Sequence, residues 1–208
     1  MVTPSNWLAD LARISFFSNR KIVVINNGID TSLFRKTDNE FRKTHHLERQ
    51  KIILCIANIF DERKGLLDVI KLSKMLSADE TILMVGKIKG KIKMPKNIVH
   101  VGRTDSVRSL VDIYSSCDVM FNPTYEDTYS STNLEALSCG LPVVCYKTGG
   151  AIETVDSKFI IEQGDIAGAC RLIRQIMDKK VIYTFPDLDF SKTRMHASYL
   201  KLIQSLLV

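Results

Sequence analysis

The sequence predicts an α/β domain with a doubly wound parallel sheet, of the Rossmann-like type that binds nucleotides. Short apolar segments rich in Val and Ile alternate along the chain with amphipathic segments. The short segments are apolar on both faces, as strands are when helices cover both sides of a parallel sheet. The amphipathic segments repeat apolar residues at close to the helical period of about 3.6. Folds of this kind bind ligands at the carboxyl edge of the sheet.

Seven strands and four helices are predicted between the two ends of the chain. The strands are Lys21–Ile25, Ile52–Ala57, Thr81–Val85, Ile98–Val101, Val119–Asn122, Pro142–Tyr146 and Lys158–Ile161. Apolar periodicity predicts helices over Leu66–Leu76, Val107–Tyr114 and Ile166–Met177. A fourth helix is expected to begin near Thr132, after a polar loop.

The two ends carry helices outside this alternation. Ser5 is a suitable N-cap for a helix that ends near Phe17, and no strand is expected before it. Ser191 is a suitable N-cap for a last helix that runs to the C terminus. Terminal helices around a complete α/β core indicate a piece of a larger protein. We therefore expect three parts, residues 1–20, 21–185 and 186–208.

The composition is that of an ordinary globular protein, which excludes a disordered chain, a collagen and a coiled coil. No apolar stretch approaches the about 18 residues of a membrane span, and no secretory signal is recognisable, so we expect an intracellular protein. The net charge of +6 favours anionic partners. Its basic residues form no helical stripe, which disfavours nucleic acid. Five cysteines without C-x-x-C spacing are expected to be reduced core residues and not metal ligands.

The strongest functional signal is the polar loop between Asn122 and the helix that begins near Thr132. Free N–H groups at a helix N terminus attract phosphate. Asp127 and Glu135, eight positions apart, flank this anion site, and carboxylates there are suited to accept hydrogen bonds from sugar hydroxyls. The combination indicates a nucleotide sugar. The hydroxyls that precede the helix belong to Thr128, Tyr129, Ser130, Ser131 and Thr132.

A structural interpretation of Glu135 remains open, with about the same weight as the ligand-binding interpretation. The segment Thr132-Asn133-Leu134-Glu135 also fits a capping box, in which Glu135 accepts a hydrogen bond from the Thr132 backbone N–H.

The second signal is Arg63-Lys64-Gly65, before the helix that begins at Leu66. A guanidinium fork and an ammonium suit a diphosphate, and Gly65 permits a tight turn. Cations at a helix N terminus oppose its dipole, so this electrostatic cost favours a functional role over a solvated pair.

Two weaker signals accompany these. The Gly149-Gly150 pair after a buried strand permits close approach of the backbone to a ligand, although a plain turn explains it nearly as well. The second is a lysine-rich loop, for which solvation is favoured over contact with an anionic membrane surface. Its lysines are Lys87, Lys89, Lys91, Lys93 and Lys96.

These motifs, in this order, resemble the C-terminal, donor-binding half of a GT-B glycosyltransferase of family 4. Residues 25–34 (INNGIDTSLF) resemble the family's linker, and Tyr199 lies in a segment similar to its C-terminal crossover helix. The other matching pieces are Pro4 to Leu8, Arg63-Lys64-Gly65, the strand ending at Gly86, Val101-Gly102, the acidic loop, Gly140 to Val144, and Gly149-Gly150 with Glu153. The resemblance assigns residues 1–20 to the last helix of the N-terminal domain and linker, and 21–185 to the nucleotide-sugar domain.

The resemblance implies a role for each candidate residue. Lys64 and Arg63 neutralise the donor diphosphate, and Glu135 binds the ribose. Asp127, or the neighbouring Glu126, holds the donor sugar. Val101 and Arg103 lie near the base. The remaining donor-binding residues are Thr128, Tyr129, Ser130, Ser131, Thr132, Asn133, Gly149 and Gly150.

The implied activity is hexosyl transfer with retention of anomeric configuration, from a nucleotide-diphosphate sugar to a glycan or lipid-linked acceptor. Family members use the leaving diphosphate and need no metal or other cofactor. The expected setting is surface polysaccharide synthesis, in the cytoplasm or peripherally at the inner face of the membrane. A sugar-nucleotide epimerase or hydrolase on the same fold, and a non-catalytic nucleotide- or phosphate-binding module, remain alternatives.

Three departures from the family pattern affect these expectations. The family's two acids are usually glutamates, whereas Asp127 stands at the first position here. An arginine common five residues before the lysine is Ile59, so Arg63 replaces it or phosphate affinity is lower. The N-terminal domain, which carries the acceptor site, is represented by one helix, so we expect this chain to bind donor without efficient transfer.

Overall fold

A computed structural model describes residues 1–90 and 92–207. The elements of the first half are β1 (Val2–Thr3), α1 (Asn6–Arg13), β2 (Val23–Val24), α2 (Phe41–Thr44), β3 (Lys51–Phe60), α3 (Leu66–Ser73), β4 (Glu80–Ile88) and β5 (Ile98–Val101). Those of the second half are α4 (Val107–Ser116), β6 (Val119–Asn122), α5 (Ser131–Ser138), β7 (Val143–Tyr146), β8 (Ile160–Ile161), α6 (Ile166–Met177) and α7 (Lys192–Gln204). Short 3-10 turns at Gly149–Thr154 and Ser157–Phe159 follow β7.

The main sheet has six parallel strands in the order β5-β4-β3-β6-β7-β8. The chain starts this sheet in the middle with β3, builds β4 and β5 on one side, and then builds β6, β7 and β8 on the other. This confirms the predicted doubly wound Rossmann-like fold. The reversal of winding opens a crevice between the carboxyl ends of β3 and β6, which is where such sheets bind ligands.

The core explains which boundaries the sequence predicted well. Strands β6 and β7 are buried at every position, so their apolar runs coincide with the strands. Helix α6 has the predicted bounds, with Ala169, Cys170 and Ile173 buried against the sheet. All five cysteines carry unpaired thiols, and four of them are buried. Among the described residues, no helix has the length and apolar character of a membrane-spanning segment.

Two central strands are longer than predicted because of a bulge. Strand β3 continues past Ala57 to Phe60, and its register with β4 shifts between Ile56 and Ile59. Gly86 in β4 has φ +131°, and a Cβ there would lie 1.7 Å from the Ala57 carbonyl oxygen. Glycine therefore permits the close crossing at the bulge, and both strands extend beyond the apolar run that marked them in the sequence.

The N-terminal segment differs from the prediction. A strand does precede the first helix: β1 pairs in parallel with β2, with Val2 opposite Val23. The predicted strand Lys21–Ile25 is thus shortened to two residues and belongs to this second small sheet. Helix α1 ends at Arg13, before Phe17, because the Ser15 N–H and hydroxyl both donate to the Ala12 carbonyl and tighten the last turn.

Two other helix ends differ slightly from the prediction. Helix α3 ends at Ser73 instead of Leu76, and α4 continues beyond Tyr114 to Ser116. The predicted N-caps are confirmed: the Ser5 hydroxyl accepts from the Leu8 N–H, and the Ser191 hydroxyl accepts from the Arg194 N–H.

A carboxylate from the loop after β7 holds α1 on the main domain. The Glu153 carboxylate accepts from the backbone N–H groups of Asn6 at 3.0 Å and Trp7 at 2.8 Å. It also accepts from the Asn6 side chain at 3.0 Å. These contacts satisfy amides that a helix N terminus leaves unpaired, and they place a negative charge at the positive end of the dipole. Glu153 therefore links α1 to the segment beside the polar loop.

We expect Glu153→Ala to loosen α1. Loss of this cap should reduce the free energy of unfolding by about 1–2 kcal/mol and increase hydrogen exchange at residues 6–8. Glu162→Ala is the control, because Glu162 is an exposed glutamate whose partner is Lys147 and such pairs contribute about 0–1 kcal/mol. Unchanged exchange at residues 6–8 would show that Glu153 does not hold the helix.

Candidate functional site

Two adjoining cavities occupy the crevice at the carboxyl edge of the sheet. The larger, of about 430 Å³, is lined by Glu135 and Arg103 and is called the Glu135 cavity below. The smaller, of about 240 Å³, is lined by Lys64 and Asp127 and is called the Asp127 cavity. The bulged end of β3 and one residue of α5 form a wall that both cavities share. Its residues are Ile56, Ala57, Asn58 and Thr132.

The structure excludes the capping-box interpretation of Glu135. Helix α5 has Ser130 as its N-cap, so a capping box would need its acid at Asn133. Glu135 lies further along the helix, and its carboxylate accepts a hydrogen bond from the Tyr114 hydroxyl at 2.8 Å. The side chain lines the Glu135 cavity and is not a cap.

The environment of Glu135 is unfavourable for its charge. Burial raises the pKa of this carboxyl, and the hydrogen bond from Tyr114 offsets only part of that effect. A carboxylate has about four acceptor positions, so one hydrogen bond from Tyr114 leaves capacity for a ligand hydroxyl. A partly desolvated acceptor beside a cavity is typical of a recognition site.

The N terminus of α5 is aimed at the Asp127 cavity without a side-chain cap. Ser130 makes no capping hydrogen bond to the first turn in the described structure. The amide of Asn122 instead donates to the Ser130 hydroxyl at 3.1 Å and to the Asn133 amide oxygen at 2.8 Å. The Asn133 amide donates to Thr154. This buried network fixes the helix start and uses two side chains that were predicted to meet the ligand.

The cavity wall at this helix start is formed by Ser130, Ser131 and Thr132. Backbone N–H groups of a first helical turn and adjacent hydroxyls suit a phosphate.

Lys64 and Asp127 form an ion pair in the lining of the Asp127 cavity. The Lys64 Nζ lies 3.5 Å from Asp127 Oδ2 and donates to the Thr124 hydroxyl at 3.2 Å. Arg63 and Glu126 form a second, looser pair at 3.9 Å, and both are exposed and outside the two cavities. Lys64 and Asp127 therefore line the cavity, whereas Arg63 and Glu126 do not.

A tight turn with two close contacts positions Lys64 here. Gly65 has φ +70°, and a Cβ there would lie 2.3 Å from the Pro123 carbonyl oxygen. The Asp61 carboxylate accepts from the Lys64 N–H at 3.0 Å. The tight turn predicted at Gly65 thus brings the lysine against the loop after β6.

The glycine pair lies under the polar loop and outside the lining of both cavities. A Cβ on Gly149 would lie 2.0 Å from the Asp127 carbonyl oxygen, and one on Gly150 would lie 2.0 Å from that of Thr128. The Gly150 N–H donates to the Asp127 carbonyl at 3.0 Å. The close approach expected of these glycines is therefore made to the protein's own backbone.

The remaining candidates are distributed around the crevice. Tyr129 lines the Asp127 cavity while its ring packs with Ile29 and Leu134, and Thr128 is exposed. Arg103 lines the Glu135 cavity, whereas Val101 pairs with Val85 in the sheet. In the lysine-rich loop, Lys91 lies outside the described residues.

Sequence reasoning missed three residues that shape the site. Asn58 lines both cavities, and a polar residue ending an apolar strand at the carboxyl edge was a usable signal. Thr124 is buried and accepts a hydrogen bond from Lys64. Tyr114 donates to Glu135, but the helical pattern indicated it only as a core residue. In the described part of the chain, no three His, Cys, Asp or Glu side chains are grouped to hold a metal ion.

Comparison with known proteins identifies the family. The family model for glycosyl transferases group 1 matches residues 36–186. A processive diacylglycerol alpha-glucosyltransferase of Acholeplasma laidlawii is 30% identical over 158 residues, which cover 69% of this chain and 47% of that protein. The chain spans about half the length of the curated relatives it matches.

Solved structures show the same fold. Sucrose-phosphate synthase of Thermosynechococcus elongatus superposes with a TM-score of 0.84 and 18% identity, over 99% of this chain and 58% of that one. HepE of Anabaena, solved with UDP-glucose, superposes with a TM-score of 0.83 and 17% identity, over 98% of this chain and 63% of that one.

The raised pKa of Glu135 predicts that Glu135→Gln stabilises the protein without ligand at neutral pH. A raised folded-state pKa means that ionisation favours the unfolded state. The variant should gain on the order of 1 kcal/mol at pH 7. Below the ordinary pKa of Glu the side chain is neutral in both states, so the gain should vanish near pH 4.

Urea denaturation at pH 7 and at pH 4 measures this difference. The matched control is Glu126→Gln, because Glu126 is exposed and only loosely paired with Arg63. A Glu135→Gln protein less stable than the wild type at pH 7 would show that the carboxylate serves a structural role.

Proposed function

The chain belongs to the glycosyl transferases group 1 family, and from this premise we propose that it binds the nucleotide-sugar donor of a retaining hexosyl transfer. The observation that carries the proposal is the pair of adjoining cavities at the point where the sheet reverses its winding. One cavity holds a partly desolvated carboxylate, and the other holds a helix N terminus, a lysine and a second carboxylate. A nucleoside diphosphate sugar has groups that match these in the same linear order.

The nucleoside is assigned to the Glu135 cavity. Glu135 accepts hydrogen bonds from the ribose hydroxyls, and its orientation is fixed by Tyr114. Arg103 and the end of β5 lie on the side of the base. Because the carboxylate already bears a desolvation penalty, its added hydrogen bonds to ligand are made without a further large loss of hydration.

The diphosphate is assigned to the N terminus of α5 and to Lys64. In the protein alone Lys64 lies near Asp127, and an incoming diphosphate offers it a stronger anionic partner. The first-turn N–H groups of α5 supply further donors. Arg63, next to Lys64 in the chain but outside the lining of both cavities, adds positive charge and is proposed to stand in for the family arginine that is Ile59 here.

Of the two candidate acids, we assign the sugar to Asp127. Its side chain is 17% exposed, whereas that of Glu126 is 74% exposed. Asp127 also lines the cavity beside Lys64, so a hexose joined to a diphosphate held by Lys64 lies within its reach.

The proposed mechanism is electrostatic stabilisation of the leaving diphosphate. The bond from the anomeric carbon to the diphosphate oxygen breaks, and negative charge grows next to the Lys64 ammonium and the α5 N–H groups. The acceptor oxygen forms its new bond on the same face of the sugar, which retains configuration, and its proton passes to the departing diphosphate oxygen. These residues supply fixed positive charge for this step, as the family resemblance implies.

Donor, acceptor and setting follow the family. UDP-glucose is the first donor to test, because the HepE structure contains it. A glycan or lipid-linked acceptor is proposed, since a relative of this chain is a diacylglycerol glucosyltransferase. Synthesis of a surface polysaccharide, in the cytoplasm or at the inner face of the membrane, fits such an acceptor.

Calorimetric titration with UDP, GDP, ADP and their hexose conjugates tests donor binding. One nucleotide family should bind saturably, and Lys64→Ala and Glu135→Gln should each weaken it by about tenfold to a hundredfold, since both lose charge-assisted contacts. Lys147→Ala is the matched control, because Lys147 is exposed and pairs with Glu162. Absence of binding to all of them at millimolar ligand, in wild-type protein shown to be folded, would contradict the proposal.

The assignment of Asp127 to the sugar is tested by comparing a nucleotide with its sugar conjugate. Asp127→Asn should weaken UDP-hexose by about tenfold, through loss of a charged acceptor for sugar hydroxyls. It should leave UDP affinity equal or slightly higher, since a negative charge near the diphosphate is removed. Glu126→Gln serves as the control, and equal losses for UDP and UDP-hexose in Asp127→Asn would contradict the assignment.

A further inference from the structure

A buried carboxylate outside both cavities joins the loop that carries Asp127 to the helix that follows Lys64. Asp68 belongs to α3, and its side chain is 3% exposed. Its Oδ2 accepts from the hydroxyls of Tyr125 at 2.5 Å and Tyr146 at 3.0 Å. Its Oδ1 accepts from Lys71 Nζ at 2.9 Å. A buried carboxylate with three donors is a strong anchor, because each hydrogen bond is charge-assisted.

The Asp68 carboxylate is ionised at neutral pH. Burial raises the pKa of Asp68, but the hydrogen bonds from Tyr125, Lys71 and Tyr146 outweigh this and hold the pKa below its usual value. The hydrogen bond to Asp68 raises the pKa of Tyr125 to about 12, so the Tyr125 hydroxyl stays protonated and donates. The donor and acceptor roles in the cluster are therefore fixed across the physiological range.

Tyr125 is held at every polar atom that it has. Its N–H donates to the Arg63 carbonyl at 2.8 Å. Its carbonyl accepts from the Thr148 hydroxyl at 2.7 Å and from the Gln163 amide at 3.2 Å. Its ring packs edge-on against Tyr146, with centroids 5.5 Å apart. Tyr125 stands between Thr124, which contacts Lys64, and the two acids of the loop, so its position sets theirs.

We propose that Tyr125, held by the Asp68 carboxylate, is a positioning residue that fixes Lys64 and Asp127 relative to each other. Lys64 precedes α3 and Asp127 lies on the loop after β6, so distant parts of the chain supply the two charges. The Tyr125 hydroxyl ties the loop to α3 itself, close after Lys64. The residue lines neither donor cavity and acts through its neighbours. This inference rests on the proposed donor binding.

A purely structural role for the cluster predicts a different result from a positioning role, and a variant of Tyr146 distinguishes the two roles. Tyr146 donates to the same oxygen of Asp68, but it belongs to β7 and not to the loop. Tyr146→Phe and Tyr125→Phe therefore each remove one hydroxyl donor to the same Asp68 oxygen. If the cluster only links α3 to the sheet, the two variants should behave alike.

The experiment compares wild type, Tyr125→Phe and Tyr146→Phe by amide hydrogen exchange and by titration with UDP-hexose. Two amides report on the loop: Tyr129 N–H, which donates to the Asp127 carboxylate, and Gly150 N–H, which donates to the Asp127 carbonyl. We expect Tyr125→Phe to accelerate exchange at both by about tenfold and to weaken UDP-hexose by about tenfold, the effect of one lost charge-assisted hydrogen bond. Tyr146→Phe should change the exchange rates and the UDP-hexose affinity by less than about twofold. It should lower thermal stability at least as much as Tyr125→Phe does.

Equal effects of the two variants on exchange and affinity would overturn the positioning role. If wild type binds no nucleotide sugar, the proposed function fails, and the exchange data still decide the inference. Faster exchange at Tyr129 and Gly150 in Tyr125→Phe alone would support it, and equal exchange in both variants would overturn it.

Discussion

The reversal of winding between β3 and β6 is the constraint on which the site depends. The two strands are neighbours in the sheet, but the connections that leave them go to opposite sides. A crevice therefore opens at their carboxyl ends, and the segments that follow each strand meet across it. The turn at Lys64 follows β3, and the loop with Asp127 follows β6. Gly65 against Pro123 and Tyr125 against Arg63 hold these segments together.

Two features of the site are electrostatically unfavourable in the protein without ligand. Burial raises the pKa of Glu135, and cations stand before the N terminus of α3 against its dipole. The surrounding polar groups are, by contrast, fully used: Asn122 and Asn133 fix the start of α5, and Asp68 holds two tyrosines. Preorganised electrostatic recognition requires that charged groups in unfavourable positions be held by rigid surroundings.

The fold and the outline of the site could be predicted from the sequence because burial and turn chemistry are local signals. Fully buried strands such as Val119–Asn122 coincide with their apolar runs. The two-residue strand Val2–Thr3 has no periodicity to detect, and the extension of β3 depends on Gly86 in another strand. The partners of Glu135 and Tyr125 lie 21 and 57 positions away, so their roles arise only from tertiary contact.

The most direct test of donor binding across the two cavities is a set of amide nitrogen–proton correlation spectra recorded during titration with UDP. Donor binding at this site predicts that the largest shifts fall on the first turn of α5, at Ser131 and Thr132, and on Gly86 beside the Glu135 cavity. Amides of α7 should serve as an unperturbed reference. Shifts concentrated around the separate cavity that Leu67 and Lys89 line, with none at Ser131 and Thr132, would contradict donor binding across the two cavities.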